Sequence, residues 1–396
     1  MSPMGLAWRS LTREPARAAL GVLGVAAVGA LLFDMLLLSN GLVTSFGQLL
    51  ETIGFSVRIT ATPAAPGTGP SIDEAEQAIA ELVVLEEIDA LVAFRFSRAE
   101  VGRGGEDSVD VDLLAVRAGD RPAWSILSGA DLSADAPLLI NRELAELLAL
   151  SPGAELELRA ECGDRSVFPP PQTLTIAGVV DLPFDAAGQR TVVVGLDAYR
   201  RACAGVLDSG VDIFLVAEAP GVAPTAVVAA IERRRPDLFA FTNDQLVKRF
   251  RFNDFSYFRQ ISFVLATVTL FFAFLLITSM LTVSVNQRFG EIAALRALGF
   301  TRARVVADLV CESLLLVGAG GLLALPLGWV FAQRLDSILK QMPGIPERLH
   351  FFVLEPQAVL FHLALLGAAG LLAALYPIYL SARLPIAATL RRETVS

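Results

Sequence analysis

The sequence predicts an α-helical membrane protein with four transmembrane helices and a large mixed α+β extracytoplasmic domain inserted between helices 1 and 2. Three observations carry this. Only 18% of the 396 residues are charged and 54% are hydrophobic, whereas an average soluble domain is about a quarter charged. Four segments stay apolar over the roughly 20 residues that a spanning helix needs. Between the first two lies a long stretch whose pattern alternates between strand and helix periods. A purely soluble enzyme, a disordered hub and a secreted disulfide scaffold are excluded by this composition.

The spans cover about residues 18–38, 261–285, 305–331 and 358–380. The first is too long for a signal-peptide core, and no small-x-small cleavage site follows it, so it reads as a retained helix. Segments 1–17, 286–304 and 381–396 together hold ten basic and three acidic residues. The positive-inside rule therefore places both termini and the 286–304 loop in the cytoplasm. The loop 334–357 is balanced. The chain divides into residues 1–39 (N-terminus and helix 1), 40–256 (outer domain) and 257–396 (helices 2–4).

Segment 40–256 carries 32 acidic and 18 basic residues. The net charge of the whole chain, −9, argues against a nucleic-acid partner. Residues 55–61 alternate as a strand and are ended by Pro63, Pro66 and Pro70. Ser71 and Glu74 have capping-box spacing ahead of a helix with Ala75, Ala78, Ile79, Leu82 and Leu85 on one face. Residues 109–116, 155–159, 174–180 and 191–194 read as strands, and 141–150 and 224–235 as helices. Phe168, Pro169, Pro170 and Pro171 cannot all join a ladder, so they form a stiff connection between strands. A rigid hairpin link is the expected role, and docking of a soluble partner is the sharper one. Cys162 and Cys203 both fall in the outer domain, where disulfides form. Their spacing does not pair them, and two separate thiols are the expectation. Lys248, Arg249 and Arg251 precede helix 2, with Phe250, Phe252, Phe255, Tyr257 and Phe258 as an interfacial belt. There the helix is expected to continue outward as a stalk.

Within the spans, Asp34 and Glu312 are the polar candidates, because an intramembrane carboxylate is costly. Asp34 lies towards the outer end and is expected to snorkel to water. Glu312 lies near the cytoplasmic end. Gly318, Gly320, Gly321 and Gly328 in the third span permit close helix approach. No His lies in 40–256, and the two in the chain, His350 and His362, are too few for a His-rich metal site.

The cytoplasmic segment at about 288–299 forms a helix with an apolar ridge of Ile292, Leu295 and Leu298. Glu291 sits at its start, Arg296 near its end and Gly299 as C-cap. Such a ridge lies on lipid or fills a groove on a cytoplasmic protein.

Glu291-Ile-Ala-Ala-Leu-Arg-Ala-Leu-Gly299 resembles the coupling-helix signature of FtsX-like ABC transporter permeases of the MacB, LolC and LolE type. Cys311-Glu312 with the glycines that follow, and Tyr376-Pro377 through Leu390-Arg391, resemble that family's third helix and C-terminus, although Leu384 stands where the family commonly has Asp. Segments 127–132, 137–145, 151–155 and 176–180 are similar, in order, to its MacB-like periplasmic core domain.

The resemblance implies a mechanotransmission complex in a bacterial inner membrane. Two permease subunits, as homo- or heterodimer, each dock a cytoplasmic ATPase through Glu291, Ile292, Leu295, Arg296, Leu298 and Gly299. Neither Lys248 nor Lys340 is followed by Ser or Thr, so no Walker A motif is present. The chain itself therefore has no cofactor, and ATP and Mg are expected on a separate ATPase subunit. Lipoprotein release or export of a hydrophobic substrate is implied, with a periplasmic adaptor or carrier and membrane lipids as further partners. The alternative is a signalling scaffold that activates an extracytoplasmic hydrolase without transport. No catalytic elbow or zinc-protease motif is present, so a non-catalytic subunit is expected.

Overall fold

The structure is a computed structural model that describes residues 5, 9, 12–63, 69–102, 108–117, 122–133, 135–162, 169–203, 210–252, 256–287, 290, 301–342 and 344–383. It divides into two compact units. One comprises residues 1–42, 255–337 and 350–396, the other residues 43–254 and 338–349.

The first unit is helical. Its members are α1 (Pro15–Thr52, which runs on into the second unit), α7 (Ser256–Gln287), α8 (Arg302–Leu339) and α9 (Pro356–Arg383). Each contains a stretch long and apolar enough to cross a bilayer. The 38 residues of α1 rise about 57 Å, well beyond a hydrocarbon core of about 30 Å. The sequence reading ends the apolar span at about residue 38. The helix continues because Gly41 meets the backbone of Phe351 and Val353: an added Cβ would lie 2.4 Å from the Phe351 carbonyl oxygen. Glycine is there for close approach, not for a turn.

Val25, Leu32, Ile277, Leu281, Val317 and Leu366 form the apolar centre of this unit, drawn from all four helices. The tightest contacts are at glycines. A Cβ on Gly320 would stand 2.7 Å from Val25, and one on Gly328 would stand 2.9 Å from Phe33, both on α1. Gly318 faces open space, so of the glycines noted in the sequence it is Gly320 and Gly328 that bring α8 against α1.

The second unit holds a ten-stranded sheet in the order β10-β1-β9-β2-β3-β8-β5-β7-β4, with β6 bridging β2 and β7. The strands are β1 (Val57–Thr60), β2 (Ile88–Gly102), β3 (Val109–Arg117), β4 (Ser125–Gly129) and β5 (Leu138–Asn141). They continue as β6 (Glu155–Ala160), β7 (Gln172–Asp181), β8 (Thr191–Gly195), β9 (Ile213–Glu218) and β10 (Phe239–Thr242). The pairings β3–β8 and β5–β7 are parallel, and the others are antiparallel. The 15-residue β2 is long enough to pair β9 with its first half and β3 and β6 with its second.

Alternation sorts the side chains onto two faces. Val57, Ile59, Val192, Val194, Phe214 and Val216 face one core, covered by α2 (Ala75–Leu82), α3 (Arg142–Leu147), α4 (Leu196–Ala202) and α5 (Pro224–Arg234). Phe55, Phe94, Val193, Ile213 and Leu215 face the other, with Trp124 and Leu182. Helix α6 (Asn243–Phe252) presents Leu246 to Leu50 of α1 and to Phe241. Lys248, Arg249 and Arg251 on it are exposed, and the expected join to helix 2 falls on residues 253–255, outside the described residues.

Three local expectations change. The Ser71–Glu74 capping box does not form: Glu74 is itself the N-cap, in the left-handed region at φ 51°, and no side chain caps the helix. Ile72 instead bridges to Val211, which draws the chain into the sheet rather than across the helix end. Cys162 and Cys203 form a disulfide, their Cα atoms 5.6 Å apart. Cys162 follows β6 and Cys203 ends α4, an adjacency made by the fold and invisible in their spacing. Residues 338–349 lie in the second unit, where Pro346 bridges Ala186 and the Glu347 amide donates to the Asp185 carbonyl.

Candidate functional site

The N-terminal parts of α1 and α8 and the C-terminal end of α7 meet in a polar cluster. Arg17 of α1 donates to Ser284 Oγ at 2.6 Å and Gln287 Oε1 at 2.8 Å on α7, and to Glu312 Oε1 at 3.2 Å on α8. It also pairs with Glu14 at 2.6 Å. Ser284 in turn donates to Glu312 Oε1 at 2.9 Å. Glu312 is 2% exposed. A carboxylate buried in apolar helices is tolerated only when paired and hydrogen-bonded, and here a guanidinium and a hydroxyl supply that. The cluster ties three helices at one level, so a displacement of α7 at this end is resisted by α1 and α8 together. Sequence reasoning found Glu312 but took Arg17 as a topology signal. The pairing depends on two residues 295 positions apart, which no local pattern reports.

Asp34 does not snorkel. It is 1% exposed, and its Oδ1 has no hydrogen-bond partner among the described residues. The preceding residue, Phe33, packs against the ring of His362 of α9, centroids 5.2 Å apart. His362 is fully buried. The sequence reading weighed His362 only as a metal ligand; its buried position on α9 is what makes it a candidate here. No group of His, Cys, Asp or Glu side chains fit to hold a metal occurs among the described residues. Ser313 Oγ donates to the Gly370 carbonyl at 3.1 Å, a further tie from α8 to α9.

At the other end of α8, Asp336 Oδ1 accepts from the Phe351 amide at 2.7 Å, and Oδ2 lies 3.1 Å from His350 Nδ1. These contacts fix the return of the chain ahead of α9. The expected coupling residues Glu291, Ile292, Leu295, Arg296, Leu298 and Gly299 lie outside the described residues, as does Phe168. Pro169, Pro170 and Pro171 precede β7, which pairs antiparallel with β6, so they stand in a hairpin connection; Pro170 and Pro171 are exposed.

Residues 263–386 match the family model described as FtsX-like permease C-terminal. No curated protein matches the chain. Among solved structures, the extracellular domain of the noncanonic ABC-type transporter YknZ from Gram-positive bacteria is similar at 13% identity, over 47% of this chain and 99% of that one, with a TM-score of 0.34. The periplasmic region of MacB from Actinobacillus actinomycetemcomitans is similar at 12% identity, over 51% of this chain and 97% of that one, with a TM-score of 0.36. The match covers α7 from residue 263, α8, α9 and the tied Glu312 and Ser284. The chain thus carries four helices long and apolar enough to span a bilayer, as a multi-pass membrane protein does, and its residues 263–386 are similar to the C-terminal region of FtsX-like permeases.

Proposed function

We propose that the chain is the permease subunit of an ABC transporter that turns cytoplasmic ATP hydrolysis into movement of its outer domain. The observation that carries the reading is the FtsX-like match over residues 263–386. The ATPase is a separate subunit, docked on the ridge Ile292, Leu295 and Leu298, with Glu291, Arg296 and Gly299 framing it. Both termini and this segment face the cytoplasm of a bacterial inner membrane, and a second permease subunit completes the complex.

The helix packing supports this mechanism. A push on the segment after α7 acts on α7, which the Arg17–Ser284–Glu312 cluster joins to α1 and α8. Helix α1 itself runs without interruption from Pro15 to Thr52, and a continuous helix transmits displacement along its axis. Lipoprotein release or export of a hydrophobic molecule is the work such a stroke would do, with a soluble carrier or adaptor at the Pro169–Pro171 connection.

The test is affinity purification of the detergent-solubilised protein from its native membrane. A co-purifying ATP-binding-cassette ATPase, lost on Leu295→Asp while the protein stays folded, is the expected result. A folded protein that brings down no ATPase would overturn the reading.

A further inference from the structure

The second unit contains a cavity of about 430 Å³, within the range of about 300–1,000 Å³ typical of small-molecule sites. One wall is helical, with Phe46 and Leu50 from α1 and Leu246 and Phe250 from α6. The facing wall is the sheet, with Phe94, Leu114 and Leu215, and Trp124 beside it. Nearly all of this surface is apolar side chain.

Arg58 is the cation among the six polar residues that line the cavity. It stands on β1 between Val57 and Ile59, which face the opposite core, so alternation turns it into the cavity. Its cross-strand neighbours are Leu215 and Phe241. It is 4% exposed. Its Nη1 donates to Asn243 Oδ1, while Nη2 is buried with no partner among the described residues. Burial pushes the guanidinium down to about 10, with desolvation as the cause. Two carboxylates also line the cavity, and both are engaged. Asp185 accepts from Asn141 Nδ2 at 2.7 Å and from Thr191 Oγ1 at 2.9 Å, and Asp112 accepts from Gln189 Nε2 at 2.9 Å. What remains open is a cationic donor at an apolar surface. A buried charge with an open donor is costly until an anion meets it. A neutral hydrophobe would leave Nη2 unpaired, and a small inorganic anion would leave the apolar walls uncovered.

We propose that this cavity binds an anionic amphiphile with one apolar chain, its carboxylate or phosphate head on Arg58 and its chain along the wall formed by Phe46, Leu50 and Trp124. This goes beyond the transport reading and does not depend on it, because binding here needs no ATPase. The ligand would touch α1 and α6 at once, so the occupied cavity would bridge the sheet to the outer end of α1.

Trp124 serves as the reporter. The full-length chain carrying Trp8→Phe and Trp329→Phe keeps Trp124 as its one indole. In lipid nanodiscs it is titrated with dodecanoate brominated at the chain end, since bromine quenches indole fluorescence on contact. Saturable quenching is expected, with ω-bromododecanol at least about tenfold weaker because it cannot supply the charge-assisted bond. Unbrominated dodecyl phosphate distinguishes the two head groups. If it displaces the bromo-acid, the site takes a phosphate head; if it does not, the site takes carboxylates alone.

Arg58→Met should weaken the acid about tenfold and leave the alcohol unchanged. Ala123→Phe, which fills the cavity and leaves Arg58 intact, should abolish quenching by both. Should Arg58→Met fail to fold, the preference for acid over alcohol and the Ala123→Phe loss carry the test. Equal affinity for acid and alcohol, undiminished quenching in Ala123→Phe, or undiminished acid binding in a folded Arg58→Met would each overturn the proposal. Loss of ATPase co-purification would leave this result untouched and bear only on the transport reading.

Discussion

The two units are held together by different physics, and the difference is that of their solvents. In the second unit, apolar burial separates inside from outside: Phe214, Leu113 and Val194 lie in a sheet core with helices over it, and removal from water drives the packing. In the membrane unit, large apolar residues such as Phe263, Phe271 and Phe272 point outward and lose nothing by it, because lipid is as apolar as a core. Association there rests on close contacts at Gly320 and Gly328 and on polar ties such as Arg17–Glu312. One kind of substitution should therefore be severe in one unit and silent in the other.

The largest contrast is expected from aromatic truncation. Phe214→Ala should cost about 3–5 kcal/mol in the second unit, read as a fall in the unfolding midpoint of the full-length protein, while Phe263→Ala should leave that midpoint unmoved. Equal effects would break the comparison. Next is the disulfide. Replacing Cys162 and Cys203 by Ser opens a loop closed over a separation of 41 residues, at a cost of about 2–4 kcal/mol by denatured-state entropy. The free thiol of Cys311 should be dispensable. Third, Gly320→Val should force α8 from α1 and cost about 1–3 kcal/mol, whereas Gly318→Ala, facing open space, should be neutral or slightly stabilising. Fourth, a double-mutant cycle on Arg17→Ala and Glu312→Ala should give a coupling of about 1 kcal/mol. A cycle that closes at zero would mean the tie is present but carries nothing.

A further effect concerns pH. Burial pushes the Asp185 carboxyl up to about 6, against the hydrogen bonds from Asn141 and Thr191 that favour its charge. A carboxyl whose folded pKa lies above its unfolded value binds its proton more tightly when folded. Its stabilising contribution is thus full below the unfolded pKa of about 4 and is lost as pH rises through about 6. Asp185→Asn, which stays neutral, should raise the melting temperature at about pH 7.5, and this advantage should shrink to nothing by about pH 4. A pH-independent difference would show that hydrogen-bond geometry, not protonation, sets the effect.

What was legible in the sequence follows the same division. A run of apolar residues is a local signal, so the four spanning stretches stood out. So did short strands with clean alternation, such as residues 109–116, and the helix starting at Asn141, whose side chain accepts from the Leu144 amide. Residues 88–102 were passed over although they form the longest strand, because Arg95, Arg98 and Glu100 interrupt its apolar character. The continuation of α1 through Gly41, the Cys162–Cys203 pair and the Arg17–Glu312 tie all depend on partners distant in the chain. Arg58 is the sharpest case. By alternation it reads as a solvent-facing position on a half-buried strand, and only the second core and the helices over it reveal a buried cation.

The coupling ridge is the point on which the functional account turns. A photo-crosslinking amino acid placed at position 295 of the full-length protein, and irradiated in intact cells, tests it most directly. The account predicts one dominant protein adduct, an ATP-binding-cassette ATPase, with no such adduct from a control site on the second unit such as Glu143. Adducts to lipid alone, from a folded and correctly inserted protein, would contradict it.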